Sequence, residues 1–240
     1  MIRKIIFIFL ITVLLLPSIG RAANVTGGFK VLDNFFWRIG KDINPHAQGE
    51  IEITLNVSKD NKLGIGIIPF FSYSFDDEET DEGDWYLYLT YKTDRLNLRG
   101  GFIYYEVLSE MPMPVPRPQQ GEYYGSFLFN FDFAKCRCYT GITAYFDRAN
   151  NGAAYTESVF SIDLGKQDSK IFPNIGTIVG FDFGQFVEAS PQFTVMQLKV
   201  ALNIKVADKV YLAPNYTYVF PLDRSKFQET DIWSISLLFR

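Results

Sequence analysis

The chain has very few residues of the kinds that build metal centres and nucleophilic catalysts. Among its 240 residues there are one histidine, His46, and two cysteines, Cys136 and Cys138. A zinc site needs about four ligands, so further ligands would have to come from elsewhere. A serine–histidine catalyst would have to use His46, and no serine lies close to it in sequence, although a distant one could approach in the fold. We therefore expect no enzyme, no metal and no cofactor, and we interpret His46 as an ordinary loop histidine.

The two cysteines are separated by a single residue, Arg137. We expect them to point to opposite faces of a strand, where an ordinary disulfide between them would be distorted. They are interpreted as small residues near a turn. A strained bridge and a periplasmic redox or metal contact are the alternatives.

Long apolar runs are absent beyond the N-terminus. Residues 1–4 form a short basic segment, and residues 5–16 are apolar apart from Thr12. Residues 17–22 end in the small-x-small pattern Gly20-Arg21-Ala22. This pattern predicts a secretory signal peptide over residues 1–22, followed by one domain over residues 23–240. The apolar run is too short to span a membrane as a helix, which disfavours an uncleaved anchor.

A basic excess is also missing. The whole chain has 23 basic and 27 acidic residues and a formal charge of −4. The predicted signal peptide holds Arg3, Lys4 and Arg21 and no acidic residue, so the mature chain would carry 20 basic residues against the same 27 acidic ones. Such a balance gives no support for nucleic-acid binding, which needs a basic patch.

What the chain does have is a strict alternation of apolar and polar residues. Over residues 47–58 the apolar side chains share one face of an extended strand, and the polar ones share the other. Residues 63–75 repeat the pattern after a four-residue polar turn. Together they predict a hairpin with about ten residues a side, which suits tilted strands that cross a bilayer.

Similar segments continue to the C-terminus and predict about twelve strands. The first is expected over residues 29–39, with a loop over residues 40–46. Short turns at residues 58–61, 92–95, 134–137, 166–170 and 207–209 alternate with mostly longer connections that begin at residues 40, 76, 108, 148, 184 and 221. The fold class is therefore all-β: a transmembrane antiparallel up-and-down β-barrel. A soluble secreted sandwich is the competing interpretation.

Aromatic residues gather beside the longer connections, as in the outer girdle of a membrane barrel. They are Trp37, Tyr73, Phe75, Trp85, Tyr104, Tyr123, Phe183, Phe220 and Trp233. The connection at residues 76–83 is strongly acidic but lacks the spacing of a calcium-binding EF-hand loop, so a specific divalent site there is the lesser alternative. Residues 109–120 hold four prolines and predict an external loop.

The polar face of the strands carries charge. The residues predicted to line a pore are Lys30, Arg38, Glu50, Glu52, Asp84, Arg99, Glu122, Asp132, Asp147, Glu157, Asp163, Asp182, Lys199 and Lys205. Inward charges are tolerated only where the barrel interior is wet or the charges pair. A narrow aqueous passage and a salt-bridged plug both remain open.

Several short motifs resemble the TorF-like porins, uncharacterised outer-membrane barrels of Gram-negative bacteria. They are Trp37-Arg38-Ile39-Gly40, Asp84-Trp85-Tyr86-Leu87-Tyr88, Gly121-Glu122-Tyr123-Tyr124-Gly125, Tyr145-Phe146-Asp147 with the following Gly152 and Tyr155-Thr156-Glu157-Ser158, and Leu212-Ala213-Pro214-Asn215-Tyr216-Thr217-Tyr218. The resemblance implies a porin and supplies no known substrate or catalytic residue.

These observations predict a porin of the bacterial outer membrane that passes small polar or cationic solutes. A structural or surface-interaction barrel with a plugged lumen is the alternative, and an outer-membrane enzyme is less favoured. The expected partners are outer-membrane lipid and lipopolysaccharide, small solutes, and the barrel-assembly machinery through the closing strand over residues 230–240. No nucleic-acid partner is expected.

Overall fold

The computed structural model describes residues 23–33, 35–37, 40–42, 45–75, 82–107, 121–134, 136–147, 153–165, 169–184, 191–222 and 229–239. The predicted signal peptide, most of the acidic connection and the proline-rich segment lie outside these residues. Among the described residues, no helix is long and apolar enough to cross a membrane.

Twelve strands form a closed antiparallel barrel, and two short strands pair only with each other. The strands are β1 (Ala23–Leu32), β2 (Phe35–Trp37), β3 (Gly40–Asp42), β4 (His46–Asn56), β5 (Leu63–Ser74), β6 (Glu82–Lys92), β7 (Leu96–Val107), β8 (Glu122–Phe133), β9 (Cys136–Asp147), β10 (Ala154–Asp163), β11 (Ile171–Asp182), β12 (Gln192–Ala207), β13 (Val210–Pro221) and β14 (Thr230–Phe239). The prediction of an all-β barrel of about twelve strands is confirmed.

The barrel closes between its first and last strands. β1 pairs with β14 on one side and with β4 on the other, and the remaining barrel strands pair with their neighbours in chain order. Closure leaves no strand edge, so the backbone groups of the wall can bond to one another. This is the condition for a β-structure to lie in hydrocarbon, where water cannot satisfy them.

The alternation in sequence becomes the two faces of the wall. On β4 and β5, Leu55 and its register partner Ile65 are exposed and point outward, whereas Thr54 and Gly66 are buried and point inward. On β6, Leu87 and Leu89 are exposed, and Tyr88 between them is buried. The outer surface is therefore apolar, as a lipid-facing surface must be.

Short turns lie at one end of the barrel, which we call the short-turn end. Asn61, Ala134 and Lys209 have φ angles of 55°, 47° and 59° in three of these turns. In the first turn the Ser58 hydroxyl donates to Asp60 at 2.7 Å, and its oxygen accepts from the backbone amide of Lys62 at 3.0 Å. Local polar contacts thus fix the reversal between β4 and β5.

Aromatic side chains mark the opposite end on the outer surface. Tyr73, Phe75, Trp85, Tyr104, Tyr123, Phe183, Phe220 and Trp233 all lie at outward-facing positions near the longer connections, and most are exposed. The side chain of Trp37 is outside the described set. The arrangement matches the girdle that anchors a barrel at a membrane interface.

The first strand differs from its predicted bounds. It covers Ala23–Leu32 rather than residues 29–39, and Phe35–Trp37 and Gly40–Asp42 pair with each other as β2 and β3. Just after the strand, the Asp33 backbone amide still donates to the Trp233 carbonyl at 3.1 Å, and the Asp33 carboxylate accepts from the Trp233 backbone amide at 2.8 Å. At this position a side-chain oxygen of Asp33 replaces its backbone carbonyl as the acceptor for β14.

The expectation that the two cysteines point to opposite faces of a strand was wrong. Cys136 and Cys138 pair with Phe133 and Phe131 and lie on the same outward face, because alternate residues of a strand share a face. Both thiols are free, with Cys136 half-buried and Cys138 buried. The turn before them is also shorter than predicted, since Cys136 and Arg137 already belong to β9.

Candidate functional site

The inward face of the barrel, which encloses the lumen, collects the charged residues singled out in the sequence. Thirteen of the fourteen predicted residues have described side chains, and all thirteen occupy inward-facing positions: Lys30, Glu50, Glu52, Asp84, Arg99, Glu122, Asp132, Asp147, Glu157, Asp163, Asp182, Lys199 and Lys205. Arg38 lies outside the described residues. Contacts that reach across intervening strands identify this face as the interior.

The clearest such contact joins β4 to β7. The guanidinium of Arg99 donates to Glu52 at 2.6 Å, passing β5 and β6, and lies over the Tyr88 ring at 4.1 Å. The Tyr88 hydroxyl donates to the same Glu52 oxygen at 2.7 Å and also lies 2.6 Å from the Thr54 hydroxyl. We call these four residues the luminal ion-pair cluster. It fixes side chains across part of the lumen.

A row of tyrosines continues around the inner wall. Tyr86, Tyr124, Tyr145 and Tyr155 lie on β6, β8, β9 and β10, with successive ring centroids 6.1, 6.4 and 6.3 Å apart. Tyr86 and Tyr124 also pack with buried Ile68, Ile103 and Tyr105. This tyrosine wall lines the lumen beside β5 to β10. The alternation of residues along single strands could not predict these contacts, because they join four different strands.

Phenol groups also satisfy buried carboxylates. The Tyr105 hydroxyl donates to Glu122, which is fully buried. The Tyr139 hydroxyl donates to Asp163 at 2.9 Å, and the Asn174 amide donates to its other oxygen at 2.8 Å. A buried carboxylate without such donors would be strongly destabilising. These partners come from other strands, so sequence spacing alone could not identify them.

An open polar cavity of about 330 Å³ lies on the other side of the lumen, beside β9 to β14. We call it the luminal cavity. Its lining residues are Tyr139, Ser161, Asp163, Asn174, Lys199, Ala201, Asn203, Ala213, Asn215, Ser236 and Leu238. Most of them lie near the short-turn ends of their strands. Of these residues, only Asp163 and Lys199 were predicted from sequence to line a pore.

Two charged side chains in the middle of their strands are exposed although they point inward. They are Glu50 on β4 and Lys199 on β12. Lys30 on β1 lies close enough to both to interact with them electrostatically. A side chain on the interior of a closed barrel is exposed only if the lumen has room for solvent. The lumen is therefore partly filled and partly open.

His46 is not the loop histidine that the sequence predicted. It is the first residue of β4, it is fully buried, and its Nδ1 lies 3.1 Å from the Ser72 hydroxyl. The Gln48 amide donates to the same hydroxyl at 3.3 Å. A distant serine thus approaches His46, but Ser72 is also buried, and a catalytic serine must be accessible to its substrate. The described side chains include no group of three or more histidine, cysteine, aspartate or glutamate residues that could hold a metal ion.

Comparisons with known proteins place this architecture among outer-membrane barrels. No protein-family model matches the sequence, and no curated protein is significantly similar in sequence. An outer-membrane channel from Pseudomonas putida F1 matches with a TM-score of 0.57 and 10% identity, over 92% of this chain and 98% of that one. The NanC porin matches at 0.55 and 6%, over 89% and 99%. The translocator domain of the autotransporter NalP from Neisseria meningitidis matches at 0.53 and 9%, over 92% and 89%. At these identities the likeness shows the fold alone: this chain has the barrel fold of bacterial outer-membrane porins and channels.

Proposed function

We propose that the protein is a porin of the bacterial outer membrane, with a narrow aqueous passage for small polar solutes and a preference for small cations over small anions. The observation that carries this proposal is the exposure of Glu50 and Lys199 on the inward face, far from the ends of their strands. Burial of such charges in a dry interior would be prohibitive. A water-filled lumen accounts for both.

The aqueous passage through the barrel is expected to be narrow. A twelve-stranded barrel falls between the filled interior of eight strands and the open channel of sixteen. The luminal ion-pair cluster and the tyrosine wall occupy the side beside β4 to β10, so the open path lies toward β11 to β1. Passage is therefore proposed for small solutes and not for folded or bulky ones.

The preference for cations follows from the charge of the inner wall. Nine carboxylates face inward among the described side chains. The inward cations are the predicted Lys30, Arg99, Lys199 and Lys205, together with Lys92 and Arg137, which the sequence analysis had assigned to turns. A passage with excess negative charge concentrates cations and repels anions.

Location and partners are part of the same proposal. The resemblance to TorF-like porins and the fold of the structural neighbours support an outer-membrane position. The apolar outer surface would contact outer-membrane lipid and lipopolysaccharide. The closing strand β14 would engage the barrel-assembly machinery.

A second candidate is a structural barrel with a plugged lumen. It is favoured by the buried cluster of Ile68, Tyr88, Ile103, Tyr105 and Tyr124, which fills part of the interior as a core would. The two candidates differ in whether folded protein conducts ions.

Ion selectivity in a planar bilayer tests the proposal. Under a salt gradient, the reversal potential of the folded protein should indicate cation preference, and Glu50→Gln should reduce it. Ile51→Val, at the adjacent outward position, is the matched control and should leave it unchanged. The preference should also weaken as salt screens the charges, over about 10 Å at 0.1 M. Anion preference, or equal effects of the two variants, would contradict the proposal.

A further inference from the structure

The luminal cavity contains polar groups that no other described residue satisfies. The ammonium of Lys199, the side-chain amide of Asn203 and the hydroxyl of Ser236 all line it, and none makes a hydrogen bond or ion pair within the described part of the chain. Each of the three can donate a hydrogen bond. A wall with one cation and two unused neutral donors suits a negatively charged acceptor.

A second lysine lies beside this wall. Lys30 occupies the register position opposite Ser236, and it is close enough to Lys199 for the two ammonium groups to repel each other. Glu50 attracts Lys30 but forms no ion pair with it. An anion bound near both ammonium groups would reduce this repulsion.

The carboxylate in the same cavity is held by neutral donors and makes no ion pair with Lys199. Both oxygens of Asp163 are engaged, one with the Tyr139 hydroxyl at 2.9 Å and the other with the Asn174 amide at 2.8 Å. No ion pair forms between Asp163 and Lys199. The ammonium of Lys199 is therefore available to a ligand on its own side of the cavity, although the inner wall as a whole is acidic.

The size and remaining lining of the cavity define the ligand further. About 330 Å³ lies at the lower end of small-molecule sites, so the ligand has few carbon atoms. Ser161 and Asn215 provide additional hydroxyl and amide groups, while Ala201, Ala213 and Leu238 provide an apolar side. A short carbon chain that carries several hydroxyl groups fits both surfaces.

We propose that the luminal cavity binds a small hydroxylated organic anion, with the carboxylate of the ligand held by Lys199, Asn203 and Ser236 and with Lys30 beside it. The ligand's hydroxyl groups face the polar side chains nearer the short-turn end. The inference rests on the proposed function in one respect, because a solute reaches the cavity through the lumen. The luminal cavity would then retain an organic anion, although the passage as a whole favours cations.

Isothermal titration of the folded, full barrel in detergent tests this site with two matched probes. Gluconate carries a carboxylate and hydroxyl groups on six carbons, and sorbitol is its neutral counterpart. Gluconate should bind with a stoichiometry of one and about tenfold or more tighter than sorbitol, since hydrogen bonds to a charged group are the stronger kind. Its affinity should fall as salt is raised.

Two lysine variants locate the binding. Lys199→Gln should weaken gluconate binding about tenfold or more and leave sorbitol unchanged. Lys205→Gln is the control, because Lys205 also faces inward on β12 but lies outside the cavity and pairs with Asp208 at 3.3 Å. Equal affinity for the two probes, no gluconate binding by folded protein, or equal loss in the two variants would overturn the inference.

Conductance measured on the same preparation separates this inference from the proposed function. Gluconate binding by a barrel that does not conduct would refute the passage and leave the site intact. Conduction without gluconate binding would refute the site and leave the passage intact.

Discussion

Removal of the luminal ion pair should destabilise the barrel by more than a surface ion pair could. Arg99 and Glu52 lie 2.6 Å apart with side chains 21% and 29% exposed, so they are neither fully buried nor free in water. Breaking a buried pair costs about 3–5 kcal/mol, and exposed pairs contribute about 0–1 kcal/mol. We expect a coupling energy of roughly 1–3 kcal/mol between these two side chains, discounted from the buried limit for their partial exposure.

A double-mutant cycle of Arg99→Met and Glu52→Gln measures that coupling by urea unfolding in lipid vesicles. Arg99→Met should be the more costly single change. It removes the guanidinium donors and also the contact with the Tyr88 ring, worth about 0.5–1 kcal/mol, whereas Glu52→Gln keeps an acceptor oxygen for Arg99. The matched control is the turn pair of Lys62 and Asp60, 3.2 Å apart and exposed, which should show little coupling. A coupling near zero for Arg99 and Glu52, equal to that of the turn pair, would refute the assignment of this contact to a confined lumen.

Three other predictions concern packing, pH and closure. Gly66→Ala should cost about 1–3 kcal/mol of unfolding free energy, because the new methyl group would overlap the Tyr88 ring. Gly125→Ala is the control: nothing lies within 4 Å of its new carbon, so its unfolding free energy should be within about 0.5 kcal/mol of wild type. Equal effects of the two variants would contradict this packing. The Ser58 hydroxyl and the Lys62 side chain lower the pKa of Asp60 from 3.8 to about 2, so the turn's stabilisation should be complete above pH 3.8 and lost as the pH falls through 2. An NMR titration that gives an ordinary pKa for Asp60, or no rise in Ser58→Ala, would be inconsistent with that turn. Deletion of β14 should prevent a folded barrel from forming, because β1 and β13 would both lose their pairing partner in lipid. A truncated chain whose mobility on a gel still changes with heating, as that of a folded barrel does, would disprove closure of the barrel by β14.

The number and approximate positions of the strands could be predicted from the sequence, because the two faces of a membrane barrel wall meet different surroundings. Outward side chains must be apolar, and inward ones can be polar, so a period of two is visible in each long strand. Leu87 and Leu89 around Tyr88 show the rule on β6. It failed near Asp33, because the alternation of apolar and polar residues does not indicate where the pairing of β1 stops.

The alternation of apolar and polar residues could not predict which side chains contact each other inside the lumen. The alternation places Glu52 and Arg99 on the inner face but does not say that they meet across two intervening strands, because that depends on the length and direction of their side chains. The approach of Ser72 to His46 depends on register in the same way. The luminal cavity is a further example, since it combines residues from six strands.

For the same reason, the sequence could not predict which of the inward charges are exposed to the lumen and which are buried. All thirteen described residues face inward, yet their surroundings differ greatly. Glu122 is fully buried beneath Tyr105, whereas Glu50 is exposed to the lumen. Only the second kind can act directly on a passing ion, so we expect Glu50 to affect selectivity more than Glu122.

Thiol modification during single-channel recording tests the passage most directly. The barrel would first have Cys136 and Cys138 replaced by serine, and a cysteine would then be placed at Glu50 or at Ile51. A charged, membrane-impermeant methanethiosulfonate reagent should reduce the conductance of Glu50→Cys and leave Ile51→Cys unaffected, since only the first position faces the lumen. Silent bilayers from demonstrably folded protein, or equal block of the two variants, would contradict a water-filled lumen bordered by this face of the barrel.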